Sequence, residues 1–300
     1  MNRFLWLVRR EVWEHKAIWV APAIVIGCLM LLMLTGNVHL GPIGTVNGHA
    51  VLGEATDEIK LKLLVIVYAG LALVVFMVMG IVAFFYALDA LYADRRDRSV
   101  LFWKSLPLSD AETVLSKFAV AIVVIPLVAL AASLVAQLVI AAGGSARLAL
   151  EGIGGAVMWR PEALFGGFAV AFLWCVTAML WYAPVVGYLM LASAWAPRGP
   201  FLWAVLPPVG LWVGERFVVG SEHVGDFITG RLFGLYGLLG ARSDGSPGAE
   251  GDEMAKISQV DLVGGLREFY ASPELWLGVV AAALLLAGAM WVRRYRDETS

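Results

Sequence analysis

The chain has 300 residues, 60% of them hydrophobic and only 15% charged, with a mean hydropathy of +0.80. Soluble chains run near half apolar and a quarter charged, so these charges are too few to cover a globule; a soluble enzyme, a disordered chain and a disulfide scaffold are excluded. Lys plus Arg (22) and Asp plus Glu (24) leave a net charge of −2, which gives no bulk attraction for nucleic acid.

The composition predicts an all-α polytopic membrane protein. A helix needs roughly 20 apolar residues to cross the hydrocarbon core. Cys28 and Cys175 each lie in an apolar run, so neither a disulfide framework nor a cysteine zinc site is on offer.

Residues 1–16 read as an amphipathic interfacial helix. At 100° per residue Met1, Phe4, Leu5, Val8 and Val12 share one arc, with Arg3, Arg10 and Glu14 on a charged stripe and Arg9 with Lys16 on a second. Trp6 and Trp13 sit between the stripes. Such a helix lies in the membrane plane with its apolar face down. The other reading is a plain charged anchor ahead of a retained first span. No small-residue cleavage site marks the segment as a removed signal.

Uncharged stretches place six transmembrane helices at about 17–36, 63–88, 116–142, 166–195, 200–220 and 273–292. Between the second and third lies a loop, 89–115, with a mixed-charge cluster Asp94-Arg95-Arg96-Asp97-Arg98. An apolar patch, Val100-Leu101-Phe102-Trp103, follows with Lys104, then Leu106-Pro107-Leu108. Ser109-Asp110-Ala111-Glu112 is a capping box that starts the third span. Apolar surface alternating with paired charges suits a protein partner; a connector lying on headgroups is the alternative.

The fifth span contains Pro207, Pro208 and Gly210 and either needs Glu215–Gly220 to reach full length or is a broken helix buried in protein. Glu215 and Arg216 are expected to pair with each other or with neighbours at the rim. Residues 221–272 form a long outer loop. Within it Leu232–Ala241 is too short to cross, Ser243–Glu253 is flexible and acidic, and Met254–Tyr270 suits a surface helix. Pro273 starts the last span, which Trp276 and Trp291 bracket as interface anchors.

With six spans both termini share a side with the loops 89–117 and 195–200. That side holds thirteen of the 22 Lys and Arg residues against nine acids, so the positive-inside rule puts both termini in the cytoplasm.

Several chemistries are missing. No lysine follows a glycine, so there is no phosphate-binding GK[ST] loop; no His-Glu-x-x-His and no Gly-x-Ser-x-Gly occurs either. No catalytic, metal or cofactor site is expected. Gln137 is the notable polar residue inside a confident span.

Two stretches carry a resemblance. Arg10-Glu11-Val12-Trp13-Glu14 stands just before the first span. The loop runs Asp94-Arg95-Arg96, Leu101-Phe102, Leu106-Pro107-Leu108-Ser109 and Lys117. In layout and in these residues the chain resembles the permease subunits of ABC-2-type exporters. It departs from their pattern in having Asp where Glu is commoner before the arginines, and in a longer final outer loop.

The resemblance implies a cell-membrane permease working with a second copy or a paralogue and two cytoplasmic ATPase subunits, itself no enzyme. It also implies that Asp94, Arg95, Arg96, Arg98, Phe102, Trp103, Lys104, Leu106 and Pro107 couple to the ATPase, with Arg10, Glu11 and Glu14 on the N-terminal interface helix. The other functional class left open is a non-transporting assembly or sensing subunit that docks a cytoplasmic regulator.

Overall fold

The structure, a computed structural model, describes residues 3–35, 56–97, 109–150, 152, 154–239, 242–243, 260–261 and 265–295. Helix α1 (Arg3–Glu14) turns into α2 (Ala17–Thr35) at a 51° bend. Long helices α3 (Asp57–Arg96) and α4 (Asp110–Leu150) follow, then α5 (Pro161–Trp181) and α6 (Ala183–Trp195), which meet at Tyr182. Helix α7 (Pro200–Gly214) continues as a wider turn over Glu215–Val219. The remainder is α8 (His223–Leu239), a two-residue antiparallel pairing of Arg242–Ser243 with Val260–Asp261, α9 (Leu266–Ala271) and α10 (Pro273–Tyr295). Five helices are long and apolar enough to cross a membrane, and six if the bent pair α1–α2 counts as one span. This is an all-α polytopic membrane protein.

Side-chain bonds fix the antiparallel order of the bundle. At one end Arg160, ahead of α5, reaches the Asp57 carbonyl at the start of α3, and Arg147 near the end of α4 reaches the Met33 carbonyl near the end of α2. At the other end Arg95 joins the close of α3 to the close of α6. This second end, where α3 and α10 finish and α4 starts, carries the basic clusters and is called the basic end below.

Small residues let the backbones approach, as is usual where lipid gives helices little hydrophobic reason to associate. A Cβ on Gly167 of α5 would stand 2.5 Å from Tyr68 Cβ of α3. The Tyr68 hydroxyl passes beneath and donates to the Met158 carbonyl at 2.6 Å.

Prolines inside spans leave carbonyls without their usual donor. Pro208 cannot donate to Ala204, and the Tyr188 hydroxyl of α6 supplies the missing bond at 2.9 Å. In α4 the turn Val120–Val124 is a π-turn, Ile125 donating to Val120, immediately before Pro126. The extra residue in that turn accommodates a proline that has no N–H for Ile122.

Some elements depart from the sequence expectation. The inward side of α1 is Leu7, Glu11 and Val12, whereas Leu5 is exposed. The predicted apolar arc is therefore rotated, because Glu11 turns inward to an ionic partner. Of the run Leu232–Ala241, residues 232–239 form the later part of a 17-residue helix, α8, and the last two lie outside the described residues. The surface helix expected over Met254–Tyr270 is confined, among the described residues, to Leu266–Ala271, with Gly265 as its N-cap. The span expected at 166–195 is two helices, broken at Tyr182 just before Pro184. Glu215 and Arg216 pair with neighbours rather than with each other, one of the two outcomes expected from the sequence. Glu215 accepts from Ser221 and from the backbone of His223 and Val224, capping α8, while Arg216 pairs with Glu222.

Candidate functional site

The basic end is built on a chain of side chains with alternating charge. Lys117 of α4 lies 2.9 Å from Glu11 of α1 and 3.4 Å from Asp94 of α3. The other oxygen of Asp94 takes Arg293 of α10 at 2.9 Å, and Arg293 reaches on to Asp110 at 3.1 Å. The order is Glu11, Lys117, Asp94, Arg293, Asp110. Four elements are thereby tied at one point.

The first four of these residues are 3%, 4%, 6% and 9% exposed, respectively. Charges this far from water persist only when paired and hydrogen-bonded, since removing one partner strands the other at a cost of about 3–5 kcal/mol. Tyr86 of α3 satisfies the second Glu11 oxygen at 3.2 Å. The His15 ring stands edge-on to Tyr86 at a 4.7 Å centroid distance, with Nδ1 3.0 Å from the Glu11 carbonyl.

Local sequence explains how each group arrives there. The capping box forms as the sequence predicts: Ser109 accepts from the Glu112 backbone and the Glu112 carboxylate accepts from the Ser109 backbone. That fixes Asp110 at the start of α4, and Lys117 follows seven residues later on nearly the same face. Asp94 ends the inward stripe of α3 that includes Tyr86, Ala87, Ala90 and Leu91.

The residues expected at an ATPase junction separate into groups. Glu11 and Asp94 are brought together through Lys117. Arg95 turns inward and donates to the carbonyls of Ser193 (2.6 Å) and Ala196 (2.8 Å), closing the C-terminus of α6. The Ser193 hydroxyl accepts from the backbone of Leu91 and Tyr92 in return.

Arg96 faces outward and pairs with Asp97 at 2.9 Å, holding the Asp97 carboxyl below its ordinary range. Arg10 and Glu14 pair with each other at 2.6 Å on the exposed side of α1. Arg98, Phe102, Trp103, Lys104, Leu106 and Pro107 lie outside the described residues. Sequence reasoning left Lys117 and Arg293 out of the site, reading the first as the start of a span and the second as flanking charge. The seven-residue spacing from Asp110 to Lys117 was the available signal for the former. Nothing near Arg293 in sequence marks it.

Gln137 is fully buried in α4, and neither end of its amide has a hydrogen-bond partner. It lies beside the α3–α5 approach, its nitrogen 3.5 Å from where a Gly167 side chain would begin.

The fold and this polar junction define a membrane-embedded helical bundle organised around one charged end. Residues 59–146 match the family model described as ABC-2 family transporter protein, so this part of the chain is similar to the membrane domains of that family. The matched segment runs from α3 through the loop and most of α4, so it contains Asp94, Asp110 and Lys117. No curated protein and no solved structure matches the chain.

Proposed function

We propose that the chain is the membrane-spanning permease subunit of an ATP-driven exporter, forming the substrate pathway and drawing energy from separate ATPase subunits. The observation that carries this reading is the buried charge chain. It ties α1, α3, α4 and α10 together at the end where the loop 98–108 leaves α3 and rejoins α4. Force applied to that loop reaches three long helices as one body, which is what coupling between two packed states requires.

In this reading the loop is the docking element and the basic end faces the cytoplasm, as the charge asymmetry suggests. Phe102 and Trp103 are the apolar anchors, Arg96, Arg98 and Lys104 set register, and Leu106 and Pro107 lead back into α4. Asp94 and Arg95 hold the base of the loop from inside. Arg10 and Glu14 flank it from α1, with Glu11 as the tie. Two ATPase subunits and a second permease copy or paralogue complete the assembly, as the family resemblance implies.

The test is co-purification with the ATPase from detergent extracts. Trp103→Ala is expected to weaken association by on the order of 2 kcal/mol, as loss of a central aromatic anchor does, without changing expression or insertion. Adding Arg96→Gln is expected to deepen the loss in a salt-dependent way. The permease alone is expected to turn over no ATP above a mock preparation. Unimpaired ATPase binding and export by the Trp103→Ala/Arg96→Gln chain would overturn the docking assignment. A chain that binds a cytoplasmic protein but supports no export would belong to the assembly or sensing class instead.

A further inference from the structure

Once its packing is known, α1 has three distinct faces. Leu7, Glu11 and Val12 are buried in the bundle. Arg3, Arg10 and Glu14 form a mixed-charge stripe. The third face carries Leu5, Trp6, Arg9 and Trp13, all exposed, and Lys16 is exposed at the bend just past the helix. At 100° per residue the four helical residues fall in one arc of about 100°.

The chemistry of that arc is uniform. It contains no acid, and neither Arg9 nor Lys16 has a carboxylate partner among the described residues. Arg9 lies over the Trp6 ring at 5.4 Å, and Trp13 is 74% exposed. Two indoles and a leucine make poor surface for water, while Arg9 among them and Lys16 at the bend beside them exclude plain hydrocarbon. A layer that offers apolar contact and negative charge side by side satisfies both. From these observations we propose that this face of α1 binds the anionic phospholipid headgroups of the surrounding bilayer.

Continuity with the adjoining span supports lipid as the occupant. Only two residues, His15 and Lys16, separate α1 from α2, whose exposed Trp19, Val20 and Ile24 continue the apolar surface. The Trp19 indole donates to the Val12 carbonyl across the bend at 3.2 Å, so α1 and the head of α2 form one seat. The Glu11–Lys117 pair anchors the opposite face of α1 in the bundle, leaving the basic aromatic arc turned outward. The proposal does not depend on the exporter reading.

The test is quenching of the two indoles by brominated lipid. The full-length chain is reconstituted in phosphatidylcholine vesicles doped with equal amounts of brominated phosphatidylcholine or brominated phosphatidylglycerol. The difference between the native chain and Trp6→Phe/Trp13→Phe isolates the signal of this face. The anionic quencher is expected to remove about twofold more of that signal than the zwitterionic one, and Arg9→Gln/Lys16→Gln is expected to bring the ratio to one. Arg9→Lys/Lys16→Arg should keep the preference, since charge is what matters. Equal quenching by the two lipids in the native chain, or a preference that survives Arg9→Gln/Lys16→Gln, overturns the proposal. So does protection of both indoles from either quencher when a cytoplasmic partner is bound, which would give the face to protein.

Discussion

Lys117 stands between two carboxylates from two other helices, 2.9 Å from Glu11 and 3.4 Å from Asp94, with almost none of the three side chains open to water. The ammonium bridges α1 to α3, beside the hydrogen bond from Tyr86 of α3 to the other Glu11 oxygen. Without it two buried negative charges face each other across the gap.

Lys117→Met is therefore expected to destabilise the basic end by about 3–5 kcal/mol and to loosen α1, since it strands Glu11 and leaves Asp94 with Arg293 alone. Thermal unfolding in detergent, with limited proteolysis at the α1–α2 bend, measures both effects. The combination Glu11→Gln/Lys117→Met should recover part of the loss, leaving Asp94 paired with Arg293. A double variant no more stable than the single one would show that Glu11 and Lys117 act independently.

The bond from Tyr188 to Ala204 compensates for a proline, which makes its contribution conditional. Tyr188→Phe should cost about 1 kcal/mol in the native background, because the Ala204 carbonyl loses its donor. In a Pro208→Ala background the helix provides its own N–H, and the same change should cost little. Equal losses in the two backgrounds would contradict this account of the contact. The cycle is read from unfolding midpoints of the four chains.

Two glycines face close neighbours of different stiffness. Gly167→Ala pushes against Tyr68 Cβ, an atom tied to the α3 backbone, so the helices must separate and a cost of about 1–3 kcal/mol is expected. Gly278→Ala meets only the end of the Arg231 side chain, which can swing away. The expected order of stability is native, then Gly278→Ala, then Gly167→Ala. Unfolding midpoints that reverse the last two would sink the distinction.

Orientation is open to direct chemical test. Single cysteines placed in 37–60 or 243–253, in a chain whose Cys28 and Cys175 are replaced by serine and alanine, should react with an impermeant maleimide from outside the cell. Cysteines at 96–98 should react only after permeabilisation. Labelling at 96–98 in intact cells would invert the topology.

What the sequence discloses here is local. Long uncharged runs show that helices cross a membrane, and Ser109 with Glu112 marks the start of α4 because a capping box is complete within four residues. What it hides is direction around a helix axis. Arg95 and Arg96 are adjacent and chemically identical, yet one closes the end of α6 and the other meets Asp97 at the surface. The 100° between them has meaning only after α6 has packed. Glu11 is hidden for the same reason. A carboxylate beside Arg10 and four residues before His15 reads as surface charge, and only Lys117, 106 positions later, turns it inward.

The joint between α5 and α6 has a mechanical counterpart across the bundle. Trp181 and Tyr182, adjacent residues at that joint, donate to the carbonyls of Arg231 and Leu232, adjacent residues in α8, at 2.9 and 3.0 Å. Two parallel bonds between neighbouring pairs act as a key rather than a pivot. Helix α8 cannot slide or roll against the joint without breaking both bonds together. Straightening the chain at Tyr182 would carry the two donors apart and release α8 in the same step, so the bend of one span and the seating of the helix beside it rise and fall as a single coordinate.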